Sequence, residues 1–344
     1  MSTHHIQLTT RDGQAIAFDC GEDEDLVSAA ARATILLPAI CKSGGCGSCR
    51  ATHAGGDHVH GECSSEALPA EARARGEVLL CRTYPRADLH LNTPFEHAHV
   101  SFQPIPERQA TISELADLGG NIVRLVLQLE EDPELGSGAE FEPGQYVELT
   151  PPDGSVTRAY SIANTANWDG RLEFLIHLQP NGRFSGYLAG TAKPGDRLKV
   201  RGPQGGFVLQ DNGTRPRCFV AGGTGLAPML SMLRRMAEFG EPNAATLLFG
   251  VTGEADLFGR DDIAALQAEL PQLQATVCVW KPGADWTGFT GTPVDALAAY
   301  LDQCGIAPDI YLCGPPAMID AAEQAALAHG VPAEQIFSER FLPT

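Results

Sequence analysis

Three cysteines stand close together in the segment Cys41-Lys-Ser-Gly-Gly-Cys46-Gly-Ser-Cys49, and a fourth, Cys81, follows farther along the chain. The pattern C-x4-C-x2-C with a distant fourth cysteine is the plant-type ligand spacing of a [2Fe–2S] cluster. Four thiolates have to reach two iron atoms, and the three glycines of the segment allow the backbone to wrap closely enough. A zinc site usually contains two short C-x2-C pairs, whereas this segment contains one. We therefore predict that Cys41, Cys46, Cys49 and Cys81 bind a [2Fe–2S] cluster.

Composition excludes several classes of function. The chain has 344 residues, which is enough for two or three domains. Its composition, with 43% hydrophobic and 19% charged residues, is ordinary for a globular protein. Its net charge of −19 argues against nucleic acid and anionic membranes, which both need basic patches. No run reaches the roughly 18 apolar residues of a membrane span, and the start MSTHHIQLTT lacks the apolar segment of a secretory signal. Ten cysteines without such a signal favour a reducing compartment, so we expect a cytoplasmic protein.

Hydrophobic periodicity divides the chain into three regions, which we predict to be domains over residues 1–100, 101–210 and 211–344. In the first, the strand-like runs IQLTT and QAIAFDC flank Asp12-Gly13, a hairpin signal, and a helical stretch follows from about Asp25 to Ala33. The second contains NIVRLVLQLE, QYVELT, RLEFLIHL and DRLKVRG, short strands that predict an antiparallel barrel or sandwich. In the third, CFVAG, ATLLFGV, ATVCVW and DIYLCG alternate with helical stretches, which predicts a doubly wound parallel sheet. We therefore expect a multidomain chain that combines α+β, all-β and α/β folds.

The middle region carries short motifs in a fixed order. Arg158-Ala159-Tyr160-Ser161 comes first, and GRFSGYL follows from Gly182. In this order and on a β-rich segment, the motifs resemble the ferredoxin–NADP reductase superfamily. The resemblance implies an antiparallel flavin-binding β-barrel, preceded by a β-grasp-like ferredoxin domain.

The same resemblance implies roles for individual residues of these motifs. Arg158 pairs with the FAD pyrophosphate, because a planar guanidinium matches a phosphate. Tyr160 lies against the isoalloxazine ring, and Ser161 is a catalytic residue that hydrogen-bonds near its N5 atom. Backbone N–H groups at a helix N-terminus bind the phosphates, and they come from Gly182, Phe184 and Ser185.

Two further loops follow strands of the last region. The segment AGGTGLAP, residues 221–228, lies between a strand and a helix, and CGPP, residues 313–316, follows the strand DIYL. Glycines let the backbone approach a pyrophosphate, and the helix N-terminus offers free N–H groups. Together the two loops match the nucleotide domain of the same superfamily, whose resemblance implies NADH-binding positions at Gly222, Gly223, Thr224, Gly225, Pro228, Cys313, Gly314 and Pro315.

The loop after ATLLFGV predicts which nicotinamide cofactor is used. It reads Thr252-Gly253-Glu254-Ala255-Asp256, and its carboxylates should repel the 2′-phosphate of NADPH. Arg260 is the only nearby cation in the sequence. We therefore predict NADH, with Glu254 in the cofactor site. By resemblance, Cys313 lies at the reacting nicotinamide, and the C-terminal aromatic Phe341 shields the flavin where nicotinamide must enter.

The three regions together imply an electron relay. NADH gives two electrons as hydride, a [2Fe–2S] cluster carries one at a time, and a flavin exchanges either number. The order of ferredoxin, flavin and nucleotide regions resembles the reductases of multicomponent bacterial oxygenases. Stretches such as LLCRTYPRADL, GRLEFLIHLQPNGRFSGYL and FVAGGTGLAPMLSM are most similar to the reductases of soluble methane and alkane monooxygenases. This resemblance implies an NADH-dependent iron–sulphur flavoprotein that passes electrons to a diiron hydroxylase and acts as a monomer.

Two alternatives stay open at the level of the sequence. Reductases of Rieske-type aromatic dioxygenases, and of phenol or toluene monooxygenases, share all three regions and their motifs. A remote alternative is a non-enzymatic redox sensor, in which cluster and flavin report NADH or O₂ to a partner. Fast turnover of NADH would exclude the sensor.

Overall fold

The computed structural model describes residues 2–39, 44, 45, 47, 49–65 and 67–341. The chain divides into two compact units, Met1–Ile105 and Pro106–Thr344. The boundaries expected near residues 100 and 210 stay a prediction. Within the described part of the chain, no helix is both long and apolar enough to cross a membrane.

The described residues of the first unit form an α+β domain. Its elements are β1 Thr3–Thr9, β2 Ala15–Gly21, α1 Leu26–Arg32, β3 Arg50–Gly55, β4 His58–His60, α2 Ala70–Ala74, β5 Glu77–Leu79, β6 Thr83–Pro85 and β7 Leu89–Asn92. Five of these strands form one sheet in the order β2-β1-β7-β3-β5, and β4 pairs with β6. The hairpin predicted around Asp12-Gly13 is confirmed, because β1 and β2 pair antiparallel and Gly13 takes a φ of +79° in the turn.

Local sequence explains why the first strands and helix form where they do. Alternate residues of β1 and β2, among them Ile6, Leu8 and Phe18, are buried on one face of the sheet. The predicted helix begins one residue later than expected, at Leu26, because Asp25 is its N-cap. The Asp25 carboxylate accepts the N–H group of Val27 at 3.1 Å, which supplies a partner that the first helical turn lacks.

The first half of the second unit is an antiparallel sheet, as expected. Its elements are β8 Glu107–Gly119, β9 Ile122–Leu129, β10 Tyr146–Thr150, β11 Arg158–Ser161, β12 Arg171–His177, α3 Arg183–Gly190 and β13 Arg197–Gln204. The strand order is β11-β10-β13-β8-β9-β12. Beyond β11, the backbone N–H of Ala163 donates to the carbonyl of Glu173 in β12 at 2.8 Å, which joins the two ends of the sheet into a barrel.

Strand β9 shows where periodicity alone is incomplete. The alternation of residues in NIVRLVLQLE places Leu125 and Leu127 on one face, and this face lines the barrel core. However, Ile122 on the opposite face is also buried, in a core shared with the nucleotide half of the unit. The strand is therefore covered on both faces, because the second half of the unit packs against the outside of the barrel.

The second half of the unit is the predicted doubly wound parallel sheet. Its elements are β14 Arg217–Gly222, α4 Leu226–Glu238, β15 Ala245–Val251, α5 Arg260–Glu269, β16 Leu273–Val279, β17 Phe289–Thr290, α6 Pro293–Leu301, β18 Asp309–Gly314, α7 Pro316–Ala328 and β19 Ile336–Arg340. The strands lie in the order β17-β16-β15-β14-β18-β19, and all pairs are parallel. The order of connection reverses between β14 and β18. In open α/β sheets, ligands bind at the carboxyl ends of strands at such a switch point.

Candidate functional site

The two described cysteines of the predicted cluster set lie side by side in the first unit. Cys49 precedes β3 and Cys81 follows β5, and these strands pair antiparallel, so the start of one meets the end of the other. The two Sγ atoms are 3.3 Å apart, and both side chains are buried. Two thiols at this separation suit ligation of one iron atom. The other two predicted ligands, Cys41 and Cys46, lie outside the described residues.

The backbone around this cysteine pair is closely wrapped, as a cluster-binding loop requires. Gly44 and Gly47 have φ values of +81° and +75°, in the left-handed region that glycine tolerates. A Cβ atom at Gly44 would lie 2.8 Å from the Arg82 side chain, so this position has no room for one. In the described part of the chain, no group of three His, Cys, Asp or Glu residues is arranged to hold a metal ion. The donor set and the close wrap fit a [2Fe–2S] cluster.

The predicted flavin motif forms the edge strand of the barrel. Arg158 and Tyr160 are two residues apart on β11, so they share one face, which offers a cation beside an aromatic ring. Tyr160 packs 5.2 Å from the ring of Phe184, measured between centroids. Burial raises the pKa of the Tyr160 hydroxyl, so this side chain stays neutral. A guanidinium for pyrophosphate and a neutral aromatic ring for the isoalloxazine both fit FAD.

The second flavin motif forms the start of helix α3, as predicted. Two of its side chains make contacts within the barrel. Gly182 directly precedes the first residue of the helix. The Phe184 side chain packs in the barrel core, and Ser185 Oγ accepts the N–H of Gln179 at 2.9 Å. A phosphate contact at Phe184 is thus left to the backbone N–H group at the helix start.

The two predicted nucleotide loops lie next to each other at the carboxyl ends of β14 and β18. A Cβ atom at Gly225 would overlap the carbonyl oxygen of Cys313, and one at Gly222 would lie 2.6 Å from Met318 Sδ. Gly223, in contrast, has a φ of +56°, and a Cβ atom there would meet nothing within 4 Å. Two of the glycines therefore let the loops pack together, while Gly223 leaves backbone accessible to a ligand. Thr224 lies in the same 3-10 turn, Pro228 lies in the first turn of α4, and Gly314 and Pro315 follow one another at the end of β18.

Glu339 is a buried carboxylate that the sequence did not indicate, and it lies next to two of the predicted catalytic residues, Ser161 and Cys313. Ser161 Oγ donates to Glu339 Oε2 at 3.1 Å, and Glu339 lies beside Cys313 in the parallel pair of β18 and β19. Along the chain, Glu339 is two residues from Phe337 and two residues from Phe341, so the three side chains share one face. A carboxylate on the same strand face as two aromatic residues is the signal that would have identified it.

Burial sets the protonation of this group of residues. It raises the pKa of Glu339 to about 7, although the hydrogen bond from Ser161 opposes the shift. Burial and the neighbouring Glu339 also raise the pKa of the Cys313 thiol well above its usual value. Cys313 is therefore a neutral thiol, while Glu339 can hold or release a proton near neutral pH. Phe341 directly follows β19, where its N–H donates to the Gly314 carbonyl at 2.9 Å.

The loop predicted to select NADH is hydrogen-bonded to the loop that follows β16. Glu254 Oε1 accepts the N–H of Gly283 at 2.8 Å, which leaves the second oxygen for a ligand. The N–H of Lys281 donates to the Thr252 carbonyl at 2.8 Å. Arg260 is the only nearby cation along the sequence, but the pairing of β15 with β16 brings a second basic residue, Lys281, next to this loop in the fold.

Sequence models of three domain families match successive parts of the chain. The 2Fe-2S iron-sulfur cluster binding domain matches residues 9–86, the oxidoreductase FAD-binding domain residues 109–209, and the oxidoreductase NAD-binding domain residues 219–324. The chain is thus an oxidoreductase with a [2Fe–2S] cluster, FAD and a nicotinamide dinucleotide as cofactors.

Similar proteins share this arrangement over nearly the whole chain. Methane monooxygenase component C of Methylosinus trichosporium is 39% identical over 87% of both chains. The toluate 1,2-dioxygenase electron transfer component of Pseudomonas putida is 33% identical over 98% of both, and the propane 2-monooxygenase reductase component of Rhodococcus jostii (strain RHA1) is 32% identical over 98% of this chain and 91% of its own. Among solved structures, the Amycolatopsis cytochrome P450 reductase GcoB superposes with a TM-score of 0.79 at 31% identity, covering 98% of this chain and 99% of its own. From its three domains and these relatives, the chain belongs to the iron–sulphur flavoprotein reductases that serve as electron transfer components of multicomponent oxygenases.

Proposed function

We propose that this chain is the NADH-dependent reductase of a bacterial hydrocarbon monooxygenase, and that it delivers electrons to a diiron hydroxylase of the soluble methane or alkane type. The observation that carries this choice is the 39% identity with methane monooxygenase component C. The propane 2-monooxygenase reductase, which matches 98% of this chain, supports the same choice.

FAD, when bound, accepts a hydride and gives up electrons singly, which suits it to stand between NADH and a one-electron cluster. Arg158 on β11 binds the pyrophosphate, and the ring of Tyr160 supports the flavin. The backbone N–H groups of Phe184 and Ser185 bind the phosphates at the start of α3, next to Gly182, whose own N–H donates to the Gln179 carbonyl at 3.1 Å. These roles rest on the position of each residue in the barrel and on the matched FAD-binding domain.

The second half of the unit binds NADH. The turn Gly222–Gly225 and the first turn of α4 bind the pyrophosphate, and Gly314 and Pro315 border the nicotinamide. Glu254 accepts hydrogen bonds from the adenosine ribose through its second carboxylate oxygen. The supporting observation is that both loops lie at the switch point of the sheet, where such ligands bind.

Ser161, Cys313 and Phe341 act at the reacting end, together with Glu339. The Glu339 carboxyl holds or releases a proton near neutral pH, and it accepts the hydrogen bond that orients the Ser161 hydroxyl. Cys313 contributes a small neutral thiol that packs against the nicotinamide. Phe341, held by the Gly314 carbonyl, excludes water from the flavin until the nicotinamide displaces it.

A second candidate is the reductase of an aromatic ring-hydroxylating dioxygenase. The toluate 1,2-dioxygenase component supports it, because it matches 98% of both chains, whereas the methane monooxygenase component matches 87%. The two candidates differ only in the oxygenase that receives the electrons. They share the cofactors, the site residues and the direction of electron flow.

Reconstitution with two oxygenases separates the candidates. The FAD- and cluster-loaded chain is mixed with NADH and either a soluble methane monooxygenase hydroxylase with its accessory protein or a Rieske-type toluate dioxygenase. We expect NADH-driven hydroxylation with the first. Product formed only with the dioxygenase would establish the second candidate. Rapid NADH oxidation with a dye but no transfer to either oxygenase would contradict both, and no NADH turnover at all would favour a redox sensor.

We further propose that the chain works as a monomer in the cytoplasm without nucleic acid or membrane partners. The net charge of −19 disfavours polyanionic partners, and the cluster thiolates need a reducing compartment. Sedimentation velocity at micromolar concentration tests the monomer directly. A dimer under these conditions would contradict it.

A further inference from the structure

Helix α4 begins directly after the turn Gly222–Gly225 and is hydrogen-bonded to the segment that follows β11. We call β11 the flavin strand, because it carries the motif of Arg158 and Tyr160. This segment, Ala163-Asn164-Thr165, receives hydrogen bonds at two consecutive carbonyls, from Arg234 Nη1 at 2.9 Å and from Ser231 Oγ at 2.7 Å. Its threonine hydroxyl donates to the carboxylate of Glu238. The three helical side chains are spaced three and four residues apart, so they lie on one face of α4. The helix that carries the nucleotide turn is thus joined along two turns to the flavin half of the unit.

A ring of four charges, which we term the four-charge cluster, extends this connection. It consists of Arg124 on β9, Glu173 on β12, Arg234 on α4 and Asp262 on α5. Arg234 Nη2 lies 2.9 Å from Asp262 Oδ1, and Arg124 Nη2 lies 2.5 Å from Asp262 Oδ2. Glu173 Oε1 completes the ring at 3.3 Å from Arg124 and 3.5 Å from Arg234. The two carboxylate side chains are only 4% and 12% exposed, so each depends on the arginines for compensation of its charge.

The four-charge cluster connects the helices that follow the turn Gly222–Gly225 and the Glu254 loop to the segment after β11. Helix α4 follows the turn Gly222–Gly225, and α5 follows the loop that contains Glu254. Arg234 lies on α4 and binds Asp262 on α5 as well as the carbonyl of Ala163, two residues beyond Ser161. One side chain therefore links the helices behind the two loops with the strand that carries the flavin motif.

We propose that Arg234 is a positioning residue for hydride transfer: it sets the distance between the flavin held by the strand of Ser161 and the nicotinamide of a dinucleotide whose pyrophosphate is bound by the turn Gly222–Gly225. The proposal rests on the proposed function of this unit as an NADH-to-FAD reductase. Reacting atoms have to approach to about 3–3.5 Å, and a misplacement of about 1 Å can cost about 10²-fold in rate. Without Arg234, the carboxylates of Glu173 and Asp262 lose one of the two arginines that they share, and only Arg124 still pairs with both, so α4 and α5 are held less firmly against the barrel.

The test uses the FAD-loaded full chain in anaerobic stopped-flow reduction by NADH and by NADH deuterated at C4. We expect Arg234→Gln to lower the limiting rate of flavin reduction about tenfold or more, to change the Kd of NADH less than about threefold, and to raise the primary isotope effect. Arg217→Gln is the matched control. Arg217 is a buried arginine that pairs with Glu241. It is the first residue of β14, so it lies at the end of this strand that is opposite to the nucleotide turn. This control should lose thermal stability and keep the wild-type rate and isotope effect.

The outcomes separate the positioning role from stability and from the proposed function. A limiting rate for Arg234→Gln within about twofold of wild type, at full FAD content, overturns the proposal. If Arg234→Gln does not retain FAD, the variants Ser231→Ala and Asp262→Asn test the proposal in its place. Ser231→Ala removes one hydrogen bond of the connection, and Asp262→Asn removes the charge that pairs with Arg124 and Arg234. A decrease of about threefold in the limiting rate at unchanged Kd supports the proposal, whereas wild-type rates in both overturn it. Wild-type protein that NADH does not reduce would instead overturn the proposed function.

Discussion

Ser161 Oγ donates a hydrogen bond of 3.1 Å to Glu339 Oε2, which connects the flavin strand β11 with the last strand β19 across 178 positions of the sequence. Both side chains are buried, and the pairing of β18 with β19 places Cys313 next to Glu339. A hydroxyl and a carboxyl from two strands are therefore hydrogen-bonded, and a thiol from a third strand lies beside the carboxyl. The carboxyl is the member of this group that titrates near neutral pH.

The raised pKa of Glu339 predicts a pH dependence of stability. Its usual pKa is 4.5 and its pKa in the folded protein is about 7, so the folded state favours the protonated carboxyl. The stability that this preference contributes is fully present below pH 4.5 and is lost as the pH rises through 7. Glu339→Gln should remove the loss, so that from pH 5 to pH 8 the variant gains on the order of 2–3 kcal/mol in unfolding free energy relative to wild type.

Urea unfolding at both pH values measures this difference. Glu323→Gln is the control, because Glu323 is a partly exposed carboxylate that pairs with Arg340, the residue next to Glu339 on the same strand. Its pH dependence should follow that of wild type over this range. Equal pH dependence in wild type and Glu339→Gln would show that Glu339 is ionised throughout.

Two nearby glycines of the nucleotide turn should respond differently to alanine. At Gly225 a Cβ atom overlaps the Cys313 carbonyl, so Gly225→Ala has to push β14 and β18 apart and should weaken NADH binding by at least about tenfold. At Gly223 there is space, and Gly223→Ala costs only the strain of a left-handed backbone, about 1–2 kcal/mol. Isothermal titration with NAD⁺ and thermal unfolding measure both effects. Equal losses in the two variants would refute the close approach of the loops.

Nicotinamide selectivity should depend on the charge of Glu254 and on its neighbour Lys281. Glu254→Gln keeps an oxygen for the N–H of Gly283 but replaces the second oxygen by an amide nitrogen and removes the negative charge, so kcat/KM with NADPH should rise about tenfold while that with NADH should fall, because the amide nitrogen does not accept a hydrogen bond from the ribose. Lys281→Ala should lower the residual activity with NADPH, because it removes the cation beside the loop. Steady-state reduction of ferricyanide with each cofactor gives the ratios. An unchanged NADPH-to-NADH ratio in Glu254→Gln would move the selectivity to another part of the site.

Cluster ligation predicts that Cys81→Ser loses the visible absorbance and the EPR signal of a [2Fe–2S] centre. Reduction of a dye by NADH should persist, because FAD and NADH bind in the other unit of the chain. Cys20→Ser is the matched control in the same unit, since Cys20 is equally buried and lies outside the ligand spacing. A cluster retained by Cys81→Ser, or lost by Cys20→Ser, would contradict the assigned ligands.

Much of the architecture could be predicted from local patterns. The Asp12-Gly13 hairpin, the helix capped by Asp25 and the alternation of strands with helices after residue 210 depend on short-range preferences that a few residues express. Cofactor identity likewise follows from spacing, as in the cysteine pattern that ends at Cys81, because a cluster imposes its ligand distances on the chain. The motif that begins at Gly182 correctly predicted the start of α3, but it did not indicate that the side chain of Phe184 packs in the barrel core.

By itself, the sequence determined the order of the three domains, their folds and the cofactors. Only the tertiary structure decided that Glu339 meets Ser161, that Lys281 lies beside the Glu254 loop and that Arg234 connects α5 with the flavin strand. These contacts join residues that are far apart along the chain. They depend on which strands become neighbours and in what register, and a spacing pattern does not encode either, because many pairings bury the same apolar faces.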